Sequence, residues 1–325
     1  MNRQLFEYHP TVGYKFIPNL KARIQHEAGG YLLRTNHEGF RSEIDFSNQK
    51  EPGKKKILVF GDSFTAGDGV SNKYRFTDVL ASSLQQIDVY NFGLSGSGTD
   101  QQYLLYKEYG HPIDYDLLVI VVLVENIRRV KSHYRYYYND KGEKMVYQKP
   151  FFELVGDRLN LLNVPVNPNP MKMEDLPAEE QEKVDKGGKF ELARTMVNAL
   201  GLKQVAQKFT KYQPVPEYGK ANTPEWLTMK TILVEWIRMA KSKVVVVPFP
   251  LYQHIEETSS AVDYQKRFAE LAIEADCVII DPLPILQQYS VEERRNFRFK
   301  TDVHPTPLCH KAVAEILHAK INTLL

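Results

Sequence analysis

The sequence predicts an α/β fold in which a three-layer, doubly wound parallel sheet carries an inserted cap region. Short apolar runs bounded by turn residues recur along the chain, as expected for strands that are buried on both faces. Between them lie segments whose apolar residues recur at helical spacing, and strands that alternate with helices form parallel sheets. The alternation stops at residue 128 and resumes at residue 223, so the stretch between these positions is predicted to be the cap.

The first part of the predicted core covers residues 51–127. Its apolar runs predict three buried strands, and helical spacing predicts a helix between each strand and the next. In chain order the elements are the strand KKKILVF from Lys54, a helix over 72–86, the strand DVYNFG at 88–93, a helix over 99–110 and the strand LLVIVVLV from Leu117.

The second part of the predicted core covers residues 223–325 and repeats the same alternation. Apolar residues at three- and four-residue intervals again mark the helices, and short apolar runs mark the strands. In chain order the elements are a helix over 224–241, the strand KVVVVPFP from Lys243, a helix over 260–275, the strand CVIID from Cys277 and a closing helix over 306–324.

Two regions lie outside this core. Residues 1–50 are predicted to be an N-terminal flank that packs on the core, in which YLLRTN and HEGFRSE indicate either a short hairpin or an irregular segment. Residues 128–222 are predicted to be the insertion. It begins with a hairpin whose turn is Asn139–Gly142, continues as a Pro- and Asn-rich loop and then contains a helix over 188–209.

The composition argues against several classes of function. With 42 basic and 40 acidic residues the 325-residue chain has a net charge of +2, which gives no overall attraction to nucleic acid. The two cysteines, Cys277 and Cys309, form neither a disulfide framework nor a metal-ligand pattern, so we expect no metal and no cofactor. No signal peptide and no apolar run of transmembrane length is present, so we expect a cytoplasmic protein.

Polar residues that suit acyl transfer follow the predicted strands, where a doubly wound sheet binds its ligands. Ser63 comes shortly after the first strand, in GDSFTAGDG. A serine hydroxyl needs a base within hydrogen-bond reach, and His304 in TDVHP is the candidate. Asp302 is positioned to accept the other ring proton of His304 and so to fix its tautomer. The sequence therefore predicts a Ser63, His304 and Asp302 triad.

The same strand ends supply candidate donors for the oxyanion of a tetrahedral intermediate. These are the backbone N–H of Ser63, the backbone N–H of Gly96 in NFGLSGSG and the side-chain amide of Asn126. Each residue has a structural alternative. Ser63 and Asp302 are also suitable helix N-caps, Asn126 is a common turn residue, and a glycine-rich loop before a helix is also a place where a phosphate binds.

Four segments together resemble the conserved blocks of the SGNH/GDSL hydrolases. GDSFTAGDG is similar to block I, NFGLSGSG to block II with Gly96 at the glycine position, ENI to block III with Asn126 at the asparagine, and TDVHP to block V. The four blocks occur in the family order, over about residues 56–127 and 243–324. The resemblance implies the flavodoxin-like SGNH fold and a serine ester hydrolase that forms an acyl-enzyme on Ser63.

Two blocks depart from the family pattern. Block III is usually Gly-x-Asn-Asp, whereas here Val124 and Ile127 stand where the glycine and the second aspartate are expected. Block V is usually Asp-x-x-His, whereas a single residue separates Asp302 from His304. An Asp-x-His spacing resembles the polysaccharide-modifying branch of the family, which implies a carbohydrate substrate.

Substrate contacts are predicted from the residues that follow Asn126. Arg128 and Arg129 suit an anionic substrate, and Tyr134 and Tyr136 suit a sugar ring. The leading hypothesis is an esterase that removes an acyl group, such as acetyl, from a carbohydrate or glycolipid. The alternatives are a carbohydrate O-acyltransferase with the same triad and a catalytically inactive, glycan-binding protein of the same fold. The oligomeric state is left open.

Overall fold

The N-terminal flank contains two antiparallel hairpins. The computed structural model describes residues 5–138, 143–181 and 213–325. The hairpins pair β1 (Phe6–His9) with β2 (Gly13–Phe16), and β3 (Lys21–Ile24) with β4 (Tyr31–Arg34). The predicted strand YLLR is therefore present. Its partner is the preceding segment KARI, because the following HEGFRSE contains turns and bends and no strand.

The first part of the core supplies three parallel strands and the short helices that follow them. Its strands are β5 (Lys55–Phe60), β6 (Ile87–Asn91) and β7 (Leu117–Leu123). Its helices are α1 (Ser63–Ala66), α2 (Phe76–Ser83), α3 (Thr99–Leu105), which continues as a π-helical turn over Tyr106–Gly110, and α4 (Asn126–Arg129).

The insertion contains two further hairpins. β8 (Tyr134–Tyr138) pairs with β9 (Lys144–Gln148), and β10 (Phe151–Val155) pairs with β11 (Arg158–Leu162). The first hairpin was predicted, but its predicted turn, Asn139–Gly142, and the predicted helix over 188–209 lie outside the described residues. The second hairpin was not predicted, because its strand RLNLL is short and leads directly into the Pro- and Asn-rich loop.

The second part of the core completes the sheet. Its strands are β12 (Lys243–Phe249) and β13 (Val278–Ile279). Its helices are α5 (Pro224–Met239), α6 (Tyr252–Ile255), α7 (Val262–Ala275), α8 (Leu283–Leu286), α9 (Val291–Arg295) and α10 (Pro307–Ile321). Of the predicted strand CVIID, only Val278 and Ile279 form a strand. It lies at the edge of the sheet, where very short strands are common.

The central sheet is parallel and has the strand order β6-β5-β7-β12-β13. Numbered along the chain, this is the 2-1-3-4-5 order of flavodoxin-like sheets. Since crossovers are right-handed, the reversal at β5 places α2 on one face and α3 on the other. Accordingly α2 packs on α10, while α3 packs on α5 and α5 packs on α7. The predicted three-layer, doubly wound fold is confirmed.

Aromatic packing joins the sheet to the helical layer that contains α5. The Phe60 ring stacks on Phe92 at a centroid distance of 4.5 Å and meets the edge of Trp236 at 5.5 Å. All three side chains are buried, and each large apolar side chain contributes roughly 1.5–3 kcal/mol when it is fully buried. Within the three described ranges, every helix is too short or too polar to cross a lipid bilayer.

Candidate active site

Ser63 is presented by a short turn at the carboxyl end of β5. It is the first residue of α1, so its N–H has no acceptor within the helix. The carboxylate of Asp62 accepts the Phe64 N–H at 3.0 Å and caps this helix. The helix ends after one turn at Gly67, whose φ of +81° is in the left-handed region that favours glycine. Ser63 is 5% exposed.

Arg129 holds the Ser63 turn against the loop that follows β6. Its Nη1 donates to Asp62 Oδ2 at 3.2 Å and to the Ser97 carbonyl at 3.1 Å. Burial raises the pKa of Asp62, and the Arg129 guanidinium and the Phe64 N–H oppose that rise. Arg129, which the sequence suggested for substrate binding, therefore also connects the loops that contain Ser63 and Gly96.

The loop after α1 is held from the N-terminal flank by Arg41, which is fully buried. Arg41 Nη1 donates to the Gly67 carbonyl at 2.6 Å, and its Nη2 donates to the Val70 carbonyl at 2.8 Å. Arg75 Nη1 in turn donates to the Arg41 carbonyl at 2.6 Å. These contacts make the flank part of the framework around Ser63.

Asp302 and His304 form a hydrogen-bonded pair on the loop before α10. Asp302 Oδ1 lies 2.5 Å from His304 Nδ1 and also accepts the His304 backbone N–H at 2.9 Å. A carboxylate beside Nδ1 fixes the neutral tautomer that has its proton there, which leaves Nε2 free to act as a base. Burial alone would raise the pKa of Asp302, but the hydrogen bonds from His304 outweigh it and hold that pKa well below its usual range.

His304 lies against the turn that presents Ser63. Its ring centroid is 5.5 Å from that of Phe64, the residue after Ser63. Its Nε2 is 4.0 Å from Asp68 Oδ2, and among the described residues Ser63 and His304 share no direct hydrogen bond. Burial lowers the pKa of His304, but the hydrogen bond with Asp302 and the negative charge of Asp68 outweigh it, so the pKa is raised.

Gly96 lies in the loop after β6 with a φ of +73°. A Cβ added at this position would collide with the guanidinium of Arg135, a residue of β8. The same guanidinium lies 4.4 Å from the centre of the Tyr14 ring, and the Tyr14 hydroxyl donates to the Ser95 carbonyl at 2.8 Å. The cap therefore touches the Gly96 loop through Arg135.

Asn126 begins α4 at the end of β7 and is fully buried. Neither its Nδ2 nor its Oδ1 has a hydrogen-bond partner in the described parts of the chain. The Asn126 amide nevertheless lies beside the Asp62 carboxylate and helps to lower its pKa, although their contact is too loose to count as a hydrogen bond by geometry. Buried amides normally find partners, so an unpaired one here is consistent with a donor that waits for a ligand.

Three other residues were predicted to contact substrate: Arg128, Tyr134 and Tyr136. Arg128 has a structural role, and the two tyrosines lie on the face of β8 that does not carry Arg135. Arg128 pairs with Glu217 at 2.5 Å and donates to the Pro214 carbonyl at 2.6 Å. Side chains alternate along a strand, so Tyr134 and Tyr136 lie on the opposite face of β8 from Arg135.

Two residues near the site were not predicted. Asp68 faces His304, and it accepts a hydrogen bond from the Ser95 hydroxyl at 2.6 Å. Its position in GDSFTAGDG, shortly after the end of β5, could have identified Asp68 as a candidate site residue. Arg135 could also have been identified from the sequence. Side chains alternate along β8, so Arg135 lies on the opposite face from the tyrosines on either side of it. His310 lies in α10 near the same loop but is buried, and its Nδ1 accepts the Phe76 N–H at 3.2 Å. Its role is therefore structural.

A cavity of about 170 Å³ lies between the N-terminal flank and the cap, with Arg135 in its wall. Tyr8 and Tyr147 supply ring surface, and Gln148 and Asn167 supply amides. The volume is below the roughly 300–1,000 Å³ of pockets for drug-sized ligands. The cavity therefore suits a small group rather than a long chain.

No protein-family model and no curated protein matches the sequence. Solved structures do match. One is a member of the lipolytic protein G-D-S-L family from Veillonella parvula, with 12% identity, a TM-score of 0.44, and coverage of 83% of this chain and 100% of that chain. Another is a lipase/acylhydrolase from Enterococcus faecalis, with 15% identity, a TM-score of 0.43, and coverage of 83% and 96%.

A third similar structure is Axe2, an acetylxylan esterase from Geobacillus stearothermophilus. It is 14% identical to this chain, with a TM-score of 0.45 and coverage of 83% of this chain and 95% of that chain. The fold is established by the strand order of the central sheet in this chain.

Proposed function

We propose that this chain is a serine esterase that forms an acyl-enzyme on Ser63. The observation that carries this proposal is the Asp302–His304 pair. Its 2.5 Å contact at Nδ1 leaves Nε2 available, and the imidazole packs on Phe64 beside Ser63. These contacts support a nucleophile, a base and an orienting carboxylate at the carboxyl edge of the sheet, where ligands bind in this fold class.

In the proposed reaction Ser63 Oγ attacks the ester carbonyl while His304 Nε2 takes the hydroxyl proton. The carbonyl π electrons move to oxygen, and the N–H groups of Ser63 and Gly96 and the Asn126 amide are the candidate donors to that oxyanion. When the tetrahedral intermediate collapses, the C–O bond to the alcohol breaks and His304 gives that oxygen its proton. Water then attacks the acyl-enzyme by the same sequence, which releases the acid and restores Ser63.

The base must come within hydrogen-bond distance of Ser63 in the productive complex. In this structure Nε2 faces Asp68 at 4.0 Å, and catalytic hydrogen bonds of unliganded sites often tighten only when substrate binds. In the productive complex the His304 ring must therefore turn so that Nε2 faces Ser63 Oγ instead of Asp68. Asp68 then stabilises the imidazolium that forms after proton transfer, because it is the nearest carboxylate on that side.

The proposed substrate is a carbohydrate or glycolipid with a small acyl group, and the cavity beside Arg135 is the candidate place for part of it. Tyrosine rings next to amide groups are a suitable lining for a sugar, because rings pack on its apolar face and amides pair with its hydroxyls. Tyr8 and Tyr147 supply the rings of this lining, and Gln148 and Asn167 supply its amides. The spacing of Asp302 and His304 also resembles the polysaccharide-modifying members of the SGNH/GDSL hydrolases.

The direct test compares the purified protein with its Ser63→Ala variant on an activated acetyl ester. The proposal expects the wild type to release acetate and the variant to lose at least about a thousandfold in kcat. Equal turnover by the two proteins would contradict it. If neither protein turns over and both bind glycans, the non-catalytic alternative is supported instead.

A carbohydrate O-acyltransferase is the second candidate, and the position of Arg135 favours it. A cap residue against Gly96 covers part of the site, and limiting the access of water allows a sugar hydroxyl to intercept an acyl-enzyme. Incubation with an acetyl donor and acetyl-free glycans distinguishes the two activities. Transfer that exceeds hydrolysis supports the transferase, and hydrolysis that is unchanged by the glycan supports the esterase.

A further inference from the structure

We infer that His26, in the N-terminal flank, is a positioning residue for the catalytic base and acts through Asp302. This inference rests on the proposed esterase function. His26 lies between β3 and β4, and its side chain is 9% exposed. Its contact with the triad joins residues that are 276 positions apart in the chain.

The two oxygens of the Asp302 carboxylate serve two different imidazoles. Oδ1 is 2.5 Å from His304 Nδ1, and Oδ2 is 3.0 Å from His26 Nε2. A carboxylate that is hydrogen-bonded on both oxygens cannot rotate without breaking one of the bonds. His26 therefore fixes the plane of Asp302, and Asp302 in turn fixes the ring of His304.

The surroundings of His26 determine which nitrogen has the proton. The Ala28 N–H points at His26 Nδ1 at 3.4 Å, so Nδ1 accepts. The neutral ring then has its proton on Nε2, and Nε2 is the donor to Asp302. The edges of aromatic rings hold the imidazole in place, with centroid distances of 4.4 Å to Phe299 and 5.9 Å to Tyr31.

The next residue, Glu27, holds the backbone of the same loop. Its carboxylate accepts the N–H groups of Lys300 at 3.1 Å, Thr301 at 2.9 Å and Asp302 at 2.9 Å. Desolvation raises the pKa of Glu27, but these hydrogen bonds outweigh it, so the pKa is lowered. Two adjacent residues of the flank thus hold both the backbone and the side chain of Asp302, so the 25–30 turn forms part of the site.

Loss of His26 is expected to act on the base and not on substrate binding. Without the donor on Oδ2, Asp302 can turn away from His304, which lowers kcat and leaves KM nearly unchanged. Because the hydrogen bond with Asp302 raises the pKa of His304, weakening that bond is expected to lower this pKa. The charged groups that face His304 are Asp302, Asp68 and Asp62, and none of these is changed.

The experiment compares His26→Phe, which keeps a ring but has no donor, with His26→Gln, whose amide N–H can replace the donor. The phenylalanine variant should lose about tenfold or more in kcat, the range for a hydrogen bond to a charged group. The glutamine variant should recover most of that loss. The control is His37→Phe, which breaks an exposed pair with Asp45 (2.8 Å) and should leave kcat unchanged.

An NMR titration of the His304 imidazole gives a readout that does not depend on turnover. A lower His304 pKa is expected in His26→Phe than in the wild type, even if the protein is not an esterase. Should His26→Phe fail to fold, Glu27→Ala loosens the same loop from an exposed position and should also lower kcat. An unshifted His304 pKa, or a kcat equal to wild type in these variants, overturns the inference while leaving the esterase proposal intact.

Discussion

Arg129 Nη1 lies 3.2 Å from Asp62 Oδ2, so a residue that follows β7 holds the turn that presents Ser63 after β5. Asp62 is 1% exposed, and a buried carboxylate that loses its partner is costly. Arg129→Met should therefore lower the free energy of unfolding by roughly 2 kcal/mol, the cost of losing a hydrogen bond to a charged group. Urea unfolding followed by circular dichroism measures this change.

Arg128→Met is the matched control for that variant. Arg128 pairs with Glu217, and its side chain is 45% exposed, so the expected loss is below about 1 kcal/mol. Equal losses in the two variants would mean that Arg129 contributes no more than a surface ion pair.

Asn126→Ala tests the amide as an oxyanion donor. Removal of one donor typically lowers kcat by about 10²–10³-fold. The unfolding free energy should change little, because both polar atoms of the buried amide lack partners in the described structure. Steady-state kinetics and thermal unfolding of the same preparation decide the question. A marked loss of stability with unchanged kcat would instead make Asn126 a structural turn residue.

The pH dependence of kcat/KM follows from the environment of His304. Its pKa is raised from the usual 6.5, by the bond with Asp302 and the charge of Asp68, which outweigh burial. Because His304 must be neutral to accept the Ser63 proton, kcat/KM should fall as the pH drops through a pKa above 6.5. Asp302→Asn should move this limb to lower pH and reduce kcat by about 10⁴-fold. A limb at or below the usual histidine value in the wild type would contradict this account.

Gly96→Ala should disturb both the backbone and the cap. The φ of +73° is unfavourable for alanine, and the new Cβ meets the Arg135 guanidinium. We expect a loss of about 1 kcal/mol or more in unfolding free energy. A double-mutant cycle with Arg135→Ala separates the two effects, since the second change removes the collision and leaves the backbone strain. Strict additivity in this cycle would show that Arg135 does not touch Gly96 in solution.

Lys149→Met tests how the cap is attached. Lys149 donates to Asp100 on α3, and both side chains are almost completely buried. Removal of one partner of a buried ion pair typically costs about 3–5 kcal/mol. The double variant Lys149→Met/Asp100→Leu should restore most of the stability, because it leaves no buried charge unpaired. Thermal unfolding of the two variants measures both effects.

The strands of the core could be predicted from the sequence because each is a short apolar run buried on both faces. In β7, all seven residues are buried. The polar residues at the strand ends were recognisable for a related reason. Residues such as Ser63 and Asn126 interrupt apolar strands at positions where the fold class places ligands.

The contacts of the flank and the cap could not be predicted in the same way. His26 reaches Asp302 across 276 positions, and no local pattern marks such a pair. The hairpin partner of YLLR was also ambiguous, because short strands pair by register and not by composition. The direction in which Arg135 points depends on alternation within β8, which in turn depends on where that strand begins.

The most direct test of the central claim is the reaction of Ser63 with a serine-directed fluorophosphonate, mapped by peptide mass spectrometry. We expect a single modified residue, Ser63, and a loss of labelling in His304→Ala, since His304 activates the hydroxyl. Ser95 and Ser97, in the neighbouring loop, are internal controls and should remain unmodified. Labelling at either of these serines, or labelling of Ser63 that is equally fast without His304, would contradict the account.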